Sequence, residues 1–199
     1  MNLFEIDKNR LTAFTDAILA ILMTILVLEF RVPRLEDPSV HELKEALRHL
    51  LPALLSYAVS FLTVICIWFD HHLLLKHVRE VDKKFTLLNF FFILCISPLP
   101  FTTAFAGEYI DHSFAVMVLG FNFLLMNISF AFLFWYAHIK KTMPAALIEH
   151  KYSKSAGIIS MIGMLITAIG IPVALINTYL AFALFLSVAV LHMLKKQKM

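Results

Sequence analysis

Residues 10–33 read RLTAFTDAILAILMTILVLEFRVP, opening on Arg10 and closing on Glu29, Arg31 and Pro33, with Asp16 the single charge between Leu11 and Leu28. A run this long and this apolar crosses a bilayer core as a helix. At about 100° per residue, Ile21, Thr24, Ile25 and Leu28 share one stripe, which Ala17 and Phe14 extend toward the N-terminus. Asp16 lies roughly 140° from Ile21 by the same count and faces elsewhere. One face therefore carries aliphatic side chains around a single hydroxyl, and another carries a carboxylate. Lipid alone calls for no such asymmetry.

The rest of the chain agrees with a membrane setting. Of its 199 residues 60% are hydrophobic, 16% are charged and nineteen are Phe, well beyond the roughly 45–50% apolar content of soluble domains. A net charge of +3 is too small to argue for a nucleic-acid partner. Cys66 and Cys95 both fall in apolar segments, where a thiol acts as a small hydrophobe, not as half of a disulfide. The N-terminal run is expected to be mature structure and not a cleaved leader, because Asp16 interrupts it and no small-x-small site follows.

The fold class expected is all-α, a polytopic membrane protein forming one unit over residues 1–199, with spans near 10–31, 52–75, 85–106, 113–138, 155–171 and 174–194. Residues 155–194 contain no charged side chain, and their length is about twice the roughly 30 Å hydrocarbon core, so they must turn back near Pro172 to Asn177. Between the first two spans, Ser39 with Glu42 three residues on forms a capping box. Leu43, Leu47, Leu50 and Leu51 then recur opposite Glu42, Lys44, Glu45 and Arg48, an amphipathic helix over 39–51 at the interface. Pro98 and Pro100 should kink or unwind the third span. Thirteen Lys or Arg fall at the termini and in the second and fourth connections, against four on the other side. Both termini are thus expected in the cytoplasm.

Two groups of residues invite a chemical role. An intramembrane carboxylate pairs inside a bundle, and Asp70, His71 and His72 fall at the same end of the chain's second span as Asp16 does of its first. Asp16 is then either a packing anchor or, with His71 and His72, a proton relay or metal site; adjacent histidines point about 100° apart on a helix, which suits a hydrogen-bonded clamp better than a metal. The stripe Ile21, Thr24, Ile25, Leu28 is either core or lipid-facing, with Thr24 bonded back to the Ala20 carbonyl, or the wall of an ion path. No metalloprotease, nucleophile-elbow, phosphate-loop or selectivity-filter motif occurs. An enzyme is not expected.

The first span closely resembles the first helix of the transmembrane protein 175 family of potassium channels, whose hallmark is an Arg followed at fixed spacing by Phe-Ser-Asp. Arg10, Phe14 and Asp16 match, and Thr15 stands where the family has Ser. Trp68, His71 and His72 resemble the family's Trp-x-x-His-His, and Leu99 to Thr103 its Pro-Phe element. The resemblance implies a homotetrameric potassium-permeable cation channel in the plasma membrane, its pore on the oligomer axis lined by the first helix of each subunit. It further implies a main constriction at Ile21, further hydrophobic rings at Ile25 and Leu28, and a selectivity layer at Thr24. Arg10, Phe14, Thr15, Asp16, Trp68, His71 and His72 would lock the helices. No cofactor is implied, and K+ is the permeant ion. The rival expectations are a proton-coupled transporter using Asp16 with His71 and His72, and a membrane enzyme with a metal on Asp70, His71 and His72.

Overall fold

The computed structural model describes residues 7–30, 34–140 and 151–196, the side chains of 151–159 and of 195–196 excepted. Among the described residues every regular element is helical: α1 (Lys8–Ile25) with a 3-10 turn (Leu26–Glu29), α2 (Val40–His49), α3 (Leu51–His77), α4 (Lys83–Ile96), α5 (Leu99–Glu108), α6 (Ser113–Ile139), α7 (Lys151–Val173) and α8 (Thr178–Lys196). Four stretches, Lys8–Glu29, Leu51–His77, Lys83–Glu108 and Ser113–Ile139, are long and apolar enough to cross a membrane; Ser160–Val173 and Thr178–Leu194 are shorter apolar helices. Arg31, Pro33, Lys198 and most of the basic connection Lys140 to Lys154 lie outside the described residues.

Local chemistry sets the boundaries. Asp7 caps α1 by accepting from the Asn9 amide. Ser39 and Glu42 form the expected capping box, each side chain bonded to the other's backbone amide. The amphipathic helix is shorter than 39–51, because Leu51 already begins α3 and Pro52 sits in the first turn, where its missing N–H costs nothing. Val40, Leu43 and Leu47 stay exposed on the subunit.

The third span breaks where its prolines fall. Pro98 has no N–H for the Leu94 carbonyl, and the Ser97 hydroxyl donates to that oxygen instead at 3.0 Å. Across the break, Asn122 of α6 donates to the Cys95 carbonyl (2.9 Å) and accepts from Thr102 of α5 (3.1 Å). One buried amide thus splints the end of α4 to the start of α5.

α3 packs on α5 and α8, α6 on α4, α5 and α7, and α1 lies mainly against α3. The larger core joins Leu19 and Leu22 of α1, Val59 and Val64 of α3, Phe92 of α4, Phe123 of α6 and Phe185 of α8. A smaller cluster at the other end gathers Leu11, Leu74, Leu75, Phe85 and Leu133. Lipid is as apolar as leucine, so close packing and hydrogen bonds hold such helices together. Phe185 shows the requirement: its ring passes where a Cβ on Gly170 would lie 2.5 Å away, and one on Gly120 2.6 Å away.

Asp82 ties α4 to α6. Its carboxylate caps α4 by accepting from the Phe85 amide at 2.8 Å, and accepts from the Tyr136 hydroxyl at 2.6 Å, with Lys140 Nζ 3.6 Å away. Burial works to raise its pKa, but the hydrogen bonds from Tyr136 and Phe85 and the Lys140 charge outweigh it and hold the carboxyl below its ordinary value. A depressed folded pKa stabilises the fold above the unfolded value and loses that stabilisation as pH falls through the folded one. Asp82→Asn should therefore lower the thermal midpoint at neutral pH. That difference from the native chain should vanish well below about pH 4, and a constant gap across the titration would refute it.

Candidate functional site: the free face of α1 and the clamp behind it

α1 divides cleanly. Leu11, Thr15, Leu19, Leu22 and Leu26 are buried, recurring at the three- and four-residue spacing of one helical face. The opposite face is left open: Ile21 is 54% and Leu28 75% exposed, Phe14, Ala17 and Thr24 are exposed as well, and Ile25 is half-buried at the edge. Leu28 lies in the 3-10 turn and not in the α-helix, so it follows Thr24 along a tighter winding than the uniform stripe anticipates.

Thr24 also differs in detail from expectation. Its hydroxyl donates to the Ile21 carbonyl at 2.8 Å, one residue nearer than the anticipated Ala20. With its hydrogen committed to the backbone, the Oγ1 lone pairs remain as acceptors on the open face.

Behind α1 the structure assembles a clamp whose wiring corrects the Asp16–histidine pairing. Asp16 accepts from the indole Nε1 of Trp68 at 3.0 Å. His71 instead meets Asn89 of α4, Nε2 to Oδ1, at 2.8 Å, and the Asn89 amide donates to Thr15 Oγ1 at 2.8 Å. Thr15 in turn donates to the Leu11 carbonyl at 3.0 Å. A carbonyl only accepts, so this order assigns every hydrogen: Thr15 accepts from Asn89 Nδ2, Asn89 Oδ1 accepts from His71, and His71 carries its hydrogen on Nε2. Thr15, Asn89 and His71 are all fully buried. His71 stacks on Phe92, and its Nδ1 has no partner among the described residues.

The remaining residues take lesser places. His72 lies against the Trp68 ring, with centroids 5.6 Å apart, and Phe14 meets Phe90 of α4 edge-on at 5.8 Å. Arg10 is exposed, and no ion pair joins it to Asp16. Lys8 supplies the basic contact at this end, donating to the Val78 carbonyl that closes α3.

These contacts weigh against the rival chemistries. Asp16 and His71 each bond to a group that does not exchange protons near neutral pH, an indole and an amide, so no direct hydrogen bond links the two. Among the described residues no three His, Cys, Asp or Glu side chains gather as metal ligands. The residue that sequence reasoning missed is Asn89. Its signal was a lone amide in LLNFFFIL, since a buried amide in a span needs partners from other helices.

Fold and site together define a multi-pass helical membrane protein whose first helix is clamped on one side and open on the other. Residues 10–100 match the family model described as the endosomal/lysosomal potassium channel TMEM175. A potassium channel of Streptomyces collinus is 29% identical over 68% of this chain and 66% of its own length. A potassium channel of Chamaesiphon minutus is 32% identical over 53% and 52%. The chain thus spans about two thirds of the first relative and half of the second. Among solved structures, a lysosomal potassium-selective channel TMEM175 homolog from Chamaesiphon minutus superposes with a TM-score of 0.83 at 25% identity, covering 94% of this chain and 97% of that one. Over residues 10–100 the chain is thus similar to the TMEM175 family, and the relatives it matches are named as ion channels.

Proposed function

We propose that four copies of this chain form a potassium-permeable cation channel in the plasma membrane, each subunit crossing six times with both termini in the cytoplasm. The pore is lined by α1, with Ile21 as its main constriction and Ile25 and Leu28 as further apolar rings. The observation that carries this reading is the open face of α1, which presents Ile21 and Thr24 away from a subunit whose own core is already complete. A single pore helix per chain requires assembly about an axis, and closed symmetry is the usual outcome. The names of the relatives point to the same ion.

Rings of aliphatic side chains close a pore by dewetting, without a charge. One turn outward, about 4.5 Å along the axis, the Thr24 oxygens offer lone pairs to a cation that is shedding or regaining water. Bi-ionic current recording from purified protein in bilayers tests the reading, with potassium carrying more current than sodium as the expected result. Thr24→Val keeps the shape and removes the acceptor. It should cut the permeability ratio by roughly fivefold, about 1 kcal/mol of differential solvation. A reversal potential unmoved by the substitution would remove Thr24 from the selectivity layer.

A further inference from the structure

A basic rim lies where α4 begins and α6 ends. Asp82 joins these two helices through Tyr136 and Lys140, so Lys84, in the first turn of α4, meets the last turns of α6 at one end of the bundle. Its Nζ stands 5.1 Å from the centre of the Tyr136 ring, and among the described residues no carboxylate pairs with it. Lys140 faces one carboxylate oxygen of Asp82 and carries three N–H donors, more than that single contact can use. Asp82 is itself committed, since it also accepts from the Phe85 amide and the Tyr136 hydroxyl. Along this rim Arg79, Lys83, Lys84 and Lys140 outnumber Glu80 and Asp82, so a positive charge remains.

Away from the rim the surface turns apolar. On α4, Leu87, Phe91 and Leu94 follow Lys84 at three- and four-residue spacing, and all are exposed. On α6, Phe132 and Trp135 are exposed; Phe132 lies four residues before Tyr136, about 40° further round the helix, beside the face that meets α4. The two strips flank one seam, because α4 packs on α6 and the Lys84–Tyr136 contact bridges them. From Lys84 to Leu94 the helix rises about 15 Å, half of the roughly 30 Å hydrocarbon core and so the depth of one leaflet. Trp135 supplies an independent sign. It is 62% exposed, and its indole N–H has no acceptor among the described residues. An indole so placed finds its acceptor at the headgroup level while the ring stays among acyl chains.

We propose that the α4–α6 seam binds one anionic phospholipid, its phosphate held by Lys84 and Lys140, the Trp135 N–H on its headgroup or ester oxygens, and an acyl chain laid along Leu87, Phe91 and Phe132. Charge and apolarity together select this occupant. A zwitterionic lipid covers the wall as well but brings its own ammonium to the rim, and a soluble anion meets the lysines without the wall. A lysine at an anionic headgroup contributes about fivefold in affinity.

Native mass spectrometry tests the site on the full chain, stripped of lipid in detergent and titrated with phosphatidylglycerol or phosphatidylcholine of the same acyl chains. Phosphatidylglycerol should bind the more tightly. Lys84→Gln should weaken phosphatidylglycerol about fivefold and leave phosphatidylcholine unchanged. Lys84→Arg should keep the native value, and Trp135→Leu should weaken both lipids. Lys44→Gln, at an exposed lysine on α2, should alter neither. Equal affinity of the native chain for the two lipids, or no effect of Lys84→Gln, overturns the proposal. So does an equal loss in Lys44→Gln, which would mean diffuse charge in place of a site, or displacement of the lipid by inorganic phosphate, which would mean a soluble anion. If Lys84→Gln or Trp135→Leu changes the number of chains per lipid-free particle, the seam is a contact between copies and the lipid site is refuted.

Discussion

Replacing Ile21 by Asn should raise cation flux through reconstituted vesicles by about tenfold, the equivalent of roughly 1.4 kcal/mol off the barrier. Ile21 follows Leu19, which is fully buried, and precedes Leu22, which is nearly so, yet is itself more than half exposed. In the proposed tetramer that exposed side chain meets three copies of itself, and a narrow aliphatic ring excludes water until it widens. An amide of similar bulk hydrogen-bonds to water, so the constriction wets without a change in α1. Because Ile21 adds nothing to the subunit core, the variant should fold and assemble normally. Were Ile21 instead in contact with lipid, the amide would impair insertion and leave flux per assembled protein unaltered. Unaltered flux would remove Ile21 as the gate.

The second large effect is on stability. Asn89→Leu should cost about 2 kcal/mol, because it strands the buried Nε2–H of His71, and an orphaned buried donor loses far more than the net worth of its bond. Thr15 suffers less, since its own hydrogen still reaches the Leu11 carbonyl. Adding His71→Phe to Asn89→Leu removes the stranded donor as well, and a ring already stacked on Phe92 tolerates a phenyl in its place. The double variant should therefore recover much of the loss, which a double-mutant cycle on thermal midpoints would measure. Strict additivity would mean that the two side chains do not act as one unit.

Four of the expected spans could be read from apolar length, the α4–α5 break from Pro98 and Pro100, and the start of α2 from Ser39 and Glu42, because each rests on a local rule. The open stripe of α1 could be anticipated from period alone, since a helix with one packed face must leave another. Partner choice in the clamp could not. Charge favours a histidine for Asp16, yet the indole of Trp68 must also find an acceptor, and three-dimensional position decided for Trp68. Asn89 sits 18 residues from His71 and 74 from Thr15, separations at which neither period nor spacing carries information. The α1 winding was likewise hidden: nothing in LVLE marks the change to a 3-10 turn.

The break in the third span divides the support of α1 between two levers. The N-terminal half of α1 is held by α4, through Asn89, while the 3-10 turn at its C-terminal end rests against α5. An unbroken helix would transmit a tilt at one end of α1 directly to the other. Here the two halves meet at a joint spanned by the Asn122 amide, so in the proposed channel the clamp can hold still while the rings toward the 3-10 turn shift, and the bore can change without the anchor letting go.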